Sequence, residues 1–556
     1  MGIWSLYFLA KLGLYYSHVL GLHWWPNLLL ALALAWPLAS ARLRLLRHAL
    51  AVPLALMLAY YDSYLPAWPR LLEQAGALSG FSSAYVAELA GRLIVWPALL
   101  ALAALVLAYV LLAHRVRFAS LVFLGLACAA VIPVPGRAPV APDEGRFIRA
   151  GETNPDALAA AGTVPAQLDG LLEAFYAAQH GKTVSFSRAG IPRYDLILLS
   201  VCSLSSDDLE AVHLRDAPVL GRFDIVFRRF NSAATYSGPA VLRLLHGTCG
   251  QTPQAQLYGG SASDECYLFR NLAADGYAPA LLLNHDGQFD GFAQQLRNQG
   301  GLDVAPLDNR AGPVAMQAFD GSPVRADYPL LSAWWHQHLS PAAAADRNLN
   351  AGSHVALLYN TITLHDGNRV PGQDQRSSRE TYAPRLRQLL ADLGRFLDEI
   401  EASGRPTVVV LIPEHGAALR AENGQVSGLR EMPTPAITQV PVAVKLMGFA
   451  PELHAGPNAG GGPIVVNQPS SYLALTALLA GLNHIGPQQA SRASLQRLAA
   501  ALPASTWVAE NAGNVLLSLA GANFLRAPDG QWLRLQEPAP GAVRESRPHP
   551  GPVEGQ

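Results

Sequence analysis

The stretch VVVLIPEHGAAL (408–419) joins an apolar run typical of a buried strand to two chemically active side chains. The run ends at Pro413, and Glu414 and His415 follow directly. Such a pair can be a polar turn with no further role. It can also be a metal or catalytic site, because open α/β sheets place their ligands at the carboxyl ends of parallel strands.

From about residue 193 onward, short apolar runs alternate with amphipathic stretches, the clearest of which predicts a helix over 381–404. Continuous apolar strands separated by helices favour a mainly parallel α/β sheet with both faces covered. The strand-like runs lie at 194–202, 277–284, 354–362, 406–413 and 440–447.

Several of these predicted strands end on side chains that can bind metals. Any single one of them can be an ordinary capping or turn residue. Because the carboxyl ends of parallel strands meet at one edge of a sheet, the set as a whole favours a site there. The residues concerned are Cys202, His285-Asp286, His365-Asp366 and Glu414-His415.

The composition of the 556-residue chain indicates a membrane segment joined to a soluble part. Charged residues make up 15%, hydrophobic residues 51%, and mean hydropathy is +0.18. Ordinary soluble domains carry roughly 25% charged residues. The formal net charge of -1 favours neither a nucleic acid nor an acidic partner.

The first 135 residues contain only three carboxylates: Asp62, Glu73 and Glu88. Apolar runs there are candidates to cross about 30 Å of hydrocarbon, although the second and third are short. Because these runs continue far beyond one hydrophobic core, they argue against a cleaved signal peptide. We therefore predict a bundle of about five transmembrane helices, at about 3–22, 26–40, 46–61, 91–112 and 117–134.

Two short basic loops set the expected orientation. ARLRLLRH (41–48) and AHRVR (113–117) should be cytoplasmic by the positive-inside rule. The N-terminus is then cytoplasmic, and the chain after about 135 lies outside the membrane, which in a Gram-negative cell means the periplasm. We divide that part into a linker with one helix (136–190, helix at 165–179), a catalytic domain (191–536) and a disordered Pro-rich tail (537–556).

The four cysteines sharpen the site hypothesis. Cys128 lies in the last predicted span, where a thiol behaves as a small apolar group. Cys249 and Cys266 flank a Gly/Ser-rich loop, and we expect a disulfide between them in an oxidising compartment. Cys202 remains, either as an inert buried thiol or as a thiolate ligand at the end of the first strand.

A zinc ion accepts cysteine, histidine and carboxylate ligands together, so Cys202, Glu414 and His415 could supply three ligands and leave one position open. Ser237 is the candidate for that position. It precedes Gly238-Pro239 and a predicted helix, so a role as a helix cap would also explain it. At such a helix end a phosphate is favoured, and a metal would activate the hydroxyl as a nucleophile.

On these motifs the chain resembles the phosphoethanolamine transferases of bacterial cellulose biosynthesis (the BcsG type), membrane enzymes of the alkaline-phosphatase/sulfatase superfamily. The resemblance covers nearly the whole chain apart from the tail. The cysteine ligand, in place of the superfamily's usual acid, marks this branch. The stretches that carry it are SVCSLSSDDLEA, FNSAATYSGPAVLRLLHGTCGQ, DECYLFRNL, FDGSPV, YNTITLHDGN, PEHGAAL and VSGLREMPTPAITQVPV.

The resemblance implies an alkaline-phosphatase-like fold and one catalytic zinc ion held by Cys202, Glu414 and His415. It implies that Ser237 is the nucleophile and a zinc-bound group. Tyr236 and Arg430 match positions near the bound phosphoryl group, and His365 would shuttle protons or position phosphate. His285 and Asp286 receive no role.

The implied reaction transfers phosphoethanolamine from phosphatidylethanolamine to glucosyl 6-hydroxyls of nascent cellulose through a covalent serine intermediate. The cellulose synthase complex in the inner membrane is the expected protein partner. One alternative is a phosphodiesterase or sulfatase that uses water as acceptor. A second is a non-catalytic scaffold of the synthase complex, against which the intact set of Cys202, Ser237, Glu414 and His415 argues.

Overall fold

The structure is a computed structural model. It describes residues 2–17, 20–63, 80–93, 96–131, 165–186, 194–259, 262–340, 354–373, 376–420, 422, 425, 428–450, 462–519 and 521–535. The predicted tail at 537–556 and most of the predicted linker lie outside the described residues.

The N-terminal part is helical, as its composition predicts. Each of the five predicted spans overlaps one of the longer helices, and a further short helix, α4, runs into the start of the fourth span. The helices are α1 (Trp4–Tyr16), α2 (Trp24–Ala35), α3 (Ala41–Tyr61), α4 (Ser83–Leu93), α5 (Trp96–Leu112) and α6 (Phe118–Val131).

Among the described residues, α3 alone is long and apolar enough to cross a membrane by length and composition. The helices in the other predicted spans are shorter: α1 has 13 residues, α2 has 12, α5 has 17 and α6 has 14. The number of spans therefore stays a prediction, as does the orientation.

Helices α1, α2 and α3 share a buried polar contact. The Nζ atom of Lys11 lies 2.6 Å from Oδ2 of Asp62, just after α3, and donates a hydrogen bond to Oδ1 of Asn27 at 2.9 Å. The Asn27 amide donates to the same Asp62 oxygen at 2.7 Å. Both charges are thus paired and hydrogen-bonded, which is the condition for keeping them in an apolar bundle.

A helix occupies the predicted stretch 165–179, as α7 (Pro165–Gln179). It packs through Leu168, Leu172 and Phe175 against an antiparallel sheet formed late in the chain. The predicted domain limits themselves stay a prediction. The strands of that sheet follow chain order: β10 (Trp507–Asn511), β11 (Asn514–Leu519), β12 (Ala522–Arg526) and β13 (Trp532–Leu535).

A seven-stranded sheet forms the centre of the catalytic part, with strand order β3-β6-β1-β7-β8-β2-β9. Five of its strands lie where apolar runs predict them. The strands are β1 (Asp195–Val201), β2 (Ile225–Asn231), β3 (Ala278–Leu283), β6 (Val355–Thr361), β7 (Thr407–Pro413), β8 (Gln439–Met447) and β9 (Ile464–Val466), and a separate hairpin joins β4 (Val314–Gln317) to β5 (Pro323–Arg325).

The central sheet is mainly parallel, which confirms the predicted sheet type. Strands β3, β6, β1 and β7 pair in parallel, as do β2 and β9. Strand β8 runs antiparallel to both of its neighbours, β7 and β2. Its apolar run did not distinguish this direction, because a central strand is buried on both faces whichever way it runs.

Helices cover both faces of this sheet. Along β7 the side chains alternate: Val408 and Val410 join one buried cluster, and Val409 and Leu411 join the other. The helices of this part are α8 (Ser206–Ala211), α9 (Ser237–Leu245), α10 (Leu268–Ala274), α11 (Phe292–Asn298), α12 (Asp327–Leu339), α13 (Tyr382–Ser403), α14 (Pro435–Thr438), α15 (Tyr472–Ile485) and α16 (Arg492–Ala500).

Candidate metal centre

The register of the sheet brings the first two candidate ligands together. Val201, the last residue of β1, pairs with Pro413, the last residue of β7. The next residues, Cys202 and Glu414, therefore leave the sheet side by side. The Glu414 amide donates to the carbonyl of Val201 at 3.0 Å, and the Cys202 amide donates to that of Thr361 in β6, also at 3.0 Å.

Cys202, Glu414 and His415 form a compact cluster that could hold a metal ion. One ligand atom from each residue lies within 4.8 Å of the other two. The Sγ atom of Cys202 and the Nε2 atom of His415 are 3.8 Å apart. All three side chains are buried, so the cluster has little access to bulk water.

One oxygen of the Glu414 carboxylate is held from behind. Oε1 accepts hydrogen bonds from the hydroxyl of Ser200 at 2.9 Å and from the amide of Asn360. Asn360 in turn accepts at Oδ1 from Nε2 of His285 at 3.0 Å. The other oxygen, Oε2, is buried and has no hydrogen-bond partner among the described residues, as expected of an atom kept for a metal.

The imidazole of His415 is oriented by its backbone surroundings. Its Nδ1 lies 2.9 Å from the carbonyl oxygen of Gly416, which can only accept, and 3.4 Å from the guanidinium of Arg430, which can only donate; the shorter contact favours a proton on Nδ1. The Nε2 lone pair therefore faces Cys202 and Ser237, in the arrangement that metal-binding histidines usually have.

The turn that carries His415 is fixed by Asp208 of α8. One carboxylate oxygen of Asp208 accepts from the amide of Ala417 at 2.7 Å, and the other accepts from Leu419 at 3.3 Å. Gly416 allows this close approach, because a Cβ there would lie 2.7 Å from Oγ of Ser205. The glycine in PEHG is thus required by packing.

Ser237 is the first residue of α9 and lies beside the three buried side chains. Its Oγ atom is 3.3 Å from Sγ of Cys202 and 3.3 Å from Nε2 of His415. Unlike those two residues, Ser237 is only half-buried. Its hydroxyl therefore lies between the buried cluster and solvent, at the positive end of the dipole of α9.

Arg430 and Tyr236 form one wall of the site. The Arg430 guanidinium lies 4.8 Å from the centre of the Tyr236 ring and donates to Oγ of Ser203 at 3.3 Å. The hydroxyl of Tyr236 donates to Glu431 at 2.9 Å. Ser203, next to Cys202, has a positive φ of 63°, a strained conformation of the kind that clusters at functional sites.

His365 follows β6 and is half-buried. Its Nδ1 donates to the carbonyl of Asp366 at 2.6 Å, and its ring stacks on Phe319 with centroids 4.6 Å apart. Burial, together with the positive charge of Arg430, lowers the pKa of His365 to about 4. The imidazole is therefore neutral at pH 7, and its Nε2 atom can accept a proton.

Burial shifts the pKa values of all three side chains of the cluster. Burial and the neighbouring Glu414 carboxylate raise the pKa of the Cys202 thiol to about 12. Burial also raises the pKa of Glu414, and burial with the Arg430 charge lowers the pKa of His415. A bound cation would reverse the penalty on the two anionic forms, and a sulfur, nitrogen and oxygen donor set suits zinc.

The remaining predicted residues have clear positions. Cys249 and Cys266 form the expected disulfide, whereas Cys202 is free. The turn residue Asp286 accepts from the amide of Gln288 at 3.0 Å. His285, to which the sequence assigned no role, supports Glu414 through Asn360.

Asn360 and Ser200 are supporting residues that the sequence analysis missed. Both are polar side chains inside apolar strands, at LLYNT in β6 and LLSVC in β1. Since a buried polar group needs a partner, such interruptions near a strand end are a usable signal for a site.

Solved structures that are similar to this chain include two that cover most of it. A protein in the alkaline phosphatase superfamily from Vibrio parahaemolyticus has a TM-score of 0.47 and 15% identity, covering 68% of this chain and 89% of that one. The lipooligosaccharide phosphoethanolamine transferase A from Neisseria meningitidis has a TM-score of 0.40 and 14% identity, covering 90% and 99%.

Curated relatives and family models match far more closely. The cellulose biosynthesis proteins BcsG of Salmonella typhimurium (strain LT2) and Escherichia coli (strain K12) are each 34% identical over 551 residues, which is 95% of both chains in each comparison. The model of the BcsG N-terminal domain matches residues 4–131, and that of the BcsG C-terminal domain matches residues 152–532. This chain therefore belongs to the BcsG family of cellulose biosynthesis proteins.

Proposed function

We propose that this chain is a zinc-dependent transferase that moves phosphoethanolamine from phosphatidylethanolamine to glucosyl 6-hydroxyls of nascent cellulose. The single observation that carries the proposal is the position of Ser237. Its Oγ atom lies 3.3 Å from both Cys202 Sγ and His415 Nε2, beside a cluster able to hold a metal ion. The donor and acceptor are those implied by the resemblance to cellulose-modifying phosphoethanolamine transferases, and membership of a cellulose biosynthesis family supports the acceptor.

Cys202, Glu414 and His415 would hold the zinc ion. When bound there, it would lower the pKa of a neighbouring hydroxyl and neutralise developing negative charge. Glu414 Oε2, which has no hydrogen-bond partner among the described residues, is the natural ligand atom of its carboxylate.

Ser237 begins the reaction as the nucleophile. Its Oγ forms a bond to the phosphorus of the donor lipid, while the bond from phosphorus to the glycerol oxygen breaks. The proton released from the Ser237 hydroxyl passes to that oxygen, and diacylglycerol leaves. Arg430 and the amino end of α9 supply positive charge beside the phosphoryl oxygens.

A glucosyl hydroxyl then attacks the same phosphorus, the bond to Ser237 Oγ breaks, and the proton lost by the glucosyl hydroxyl restores the hydroxyl of Ser237. We assign His365 a part in this step; its Nδ1 donates to the Asp366 carbonyl, which leaves Nε2 to act on the substrate. It would accept the proton of the incoming hydroxyl or hold a phosphoryl group in position. Tyr236, tied to Glu431, would line the phosphoryl position.

We place the protein in the bacterial inner membrane with about five spans, a cytoplasmic N-terminus and a periplasmic catalytic domain. The cellulose synthase complex is the proposed partner. Anchoring would keep the site close to the lipid donor and to the emerging glucan, which raises their effective concentration. Reporter fusions after residues 45, 115 and 190 should place only the last in the periplasm.

The decisive assay incubates the purified full-length chain with ethanolamine-labelled phosphatidylethanolamine, with and without cello-oligosaccharide. In the reaction with cello-oligosaccharide, label should move from the lipid to the oligosaccharide. In the reaction without it, free phosphoethanolamine should not be released at that rate. Release of free phosphoethanolamine at the same rate in both reactions would instead indicate a hydrolase that uses water. A non-catalytic scaffold would give neither product.

A further inference from the structure

Helix α4 belongs to the N-terminal part of the chain but packs into the catalytic part. Tyr85 is 7% exposed and lies in one buried cluster with Met316, Phe319 and Val324. Phe81, just before α4, packs against the same cluster, with its ring 5.5 Å from that of Phe319. The apolar face of α4 is thus covered by residues more than 200 positions away.

Polar contacts extend this interface to the loop that carries His365, which we define as residues 362–373. The hydroxyl of Tyr85 donates to Oδ2 of Asp366 at 3.2 Å. Glu88 forms an ion pair with Arg369 of the same loop at 2.6 Å. Both side chains of this pair are largely buried, so it is screened less by solvent than a surface pair.

A second set of contacts links the start of α4 to His365 through Phe319. The ring of Phe319 stacks on His365, and the carbonyl of Phe319 accepts from the amide of Ser82 at 2.9 Å. The fit around the loop is tight, because a Cβ at Gly367 would lie 2.6 Å from Phe319 and 2.7 Å from Tyr85. A shift of α4 would therefore disturb Asp366 and Gly367, which directly follow His365.

We propose that Tyr85, assisted by Glu88, is a positioning residue that holds His365 in place from the N-terminal part of the chain. It does so through the carboxylate of Asp366 and the ring of Phe319. This inference rests on the proposed transfer reaction, in which His365 acts on the incoming hydroxyl or the phosphate. Since α5 follows α4 almost directly, the same contact ties the position of His365 to a predicted membrane span.

Tyr85→Phe in the full-length chain is the sharpest variant, because it keeps the ring packing and removes only the hydroxyl. We expect kcat for transfer to fall about two- to tenfold, the factor that corresponds to one hydrogen bond. KM for the donor lipid, metal content and the disulfide should stay unchanged. Val86→Ala, at a residue of α4 that is 45% exposed, is the matched control and should leave kcat unaltered.

A double-mutant cycle separates positioning from a general structural effect. If Tyr85 acts through His365, Tyr85→Phe should cause no further loss in a His365→Ala background. An equal fold-loss in both backgrounds would overturn the inference, as would full activity of either single variant.

Hydrogen exchange of the same proteins tests the docking without any reliance on catalysis. Tyr85→Phe and Glu88→Gln should speed amide exchange in peptides covering 362–373, whereas Val86→Ala should not. Unchanged exchange in both variants would overturn the inference. If wild-type protein showed no transfer, the proposed function would fail, and exchange alone would still decide whether α4 holds the loop.

Discussion

The Oγ atom of Ser237 lies 3.3 Å from the Sγ atom of Cys202, although one residue begins a helix and the other follows a strand. The two residues differ in burial, and we therefore expect them to have different roles. Cys202 is fully buried and suited to hold a metal, whereas Ser237 is half-buried and can meet a substrate. The first two predictions test these roles separately.

Replacing Cys202 should empty the metal centre without unfolding the chain. Cys202→Ala should bring the zinc content, measured by mass spectrometry of the purified protein, from about one ion per chain to near zero and abolish transfer. Cys128→Ala, which removes the other free cysteine, is the matched control and should keep both. Full zinc retention in Cys202→Ala would remove the thiolate from the site.

Replacing Ser237 should stop the chemistry but leave the metal. Incubation with donor lipid and no acceptor should place phosphoethanolamine on Ser237, detectable by peptide mass spectrometry, and Ser237→Ala should show neither adduct nor transfer. Zinc should remain, because Cys202, Glu414 and His415 are intact. Thr235→Val, at a buried residue two positions before Ser237, is the control and should keep both adduct and transfer. Near-normal transfer by Ser237→Ala would make Thr235 the next candidate nucleophile.

The disulfide should stabilise the folded chain but should not be needed for metal binding. Cys249 and Cys266 are 17 positions apart, and the chain-entropy model gives about 3 kcal/mol for a loop of this length. Cys249→Ala with Cys266→Ala should therefore lower the midpoint of thermal unfolding while zinc content stays the same. Peptide mapping under non-reducing conditions should link these two cysteines, and a bridge that involves Cys202 would contradict both assignments.

Asp195, at the start of β1, should make stability depend on pH at the acid end. Burial alone would raise the pKa of its carboxyl. Hydrogen bonds from His338, His354 and Arg405 lower that pKa by more than burial raises it, so the net pKa is far below its usual range. A depressed folded-state pKa contributes stability that is present above the unfolded value of about 3.9 and is lost as pH falls below it.

Asp195→Asn tests this dependence. It should cost about 3 kcal/mol at pH 7, the order expected when one partner of a buried pair is removed. Between pH 5 and pH 3 the variant should lose less stability than the wild type, measured by thermal unfolding of the detergent-purified chain. Parallel pH profiles for the two proteins would show that Asp195 is not the responsible group.

The sequence predicted the central sheet and the candidate ligands for one physical reason. Apolar runs in a buried parallel sheet are continuous, so that Cys202 and Glu414 stand out where the runs end. Contacts between distant segments leave no such pattern. The link from His285 through Asn360 to Glu414, and that from Tyr85 to Asp366, depend on packing that no local periodicity encodes.

The direction of β8 was missed for a related reason. An apolar strand buried on both faces looks alike in either direction, and VPVAVKLM is such a run. The lengths of the N-terminal helices also differ from the predicted spans, because hydropathy marks where a segment is apolar and helix ends depend on capping and neighbouring contacts.

The pairing of Val201 with Pro413 determines when the metal centre can form during synthesis and folding of the chain. Cys202 and Glu414 are more than 200 residues apart along the chain and become neighbours only when β1 and β7 lie side by side. No partly synthesised chain that ends before β7 can contain the complete ligand set. A metal ion at this centre would therefore bind all of its ligands only once β1 and β7 have paired, in the compartment where the sheet folds.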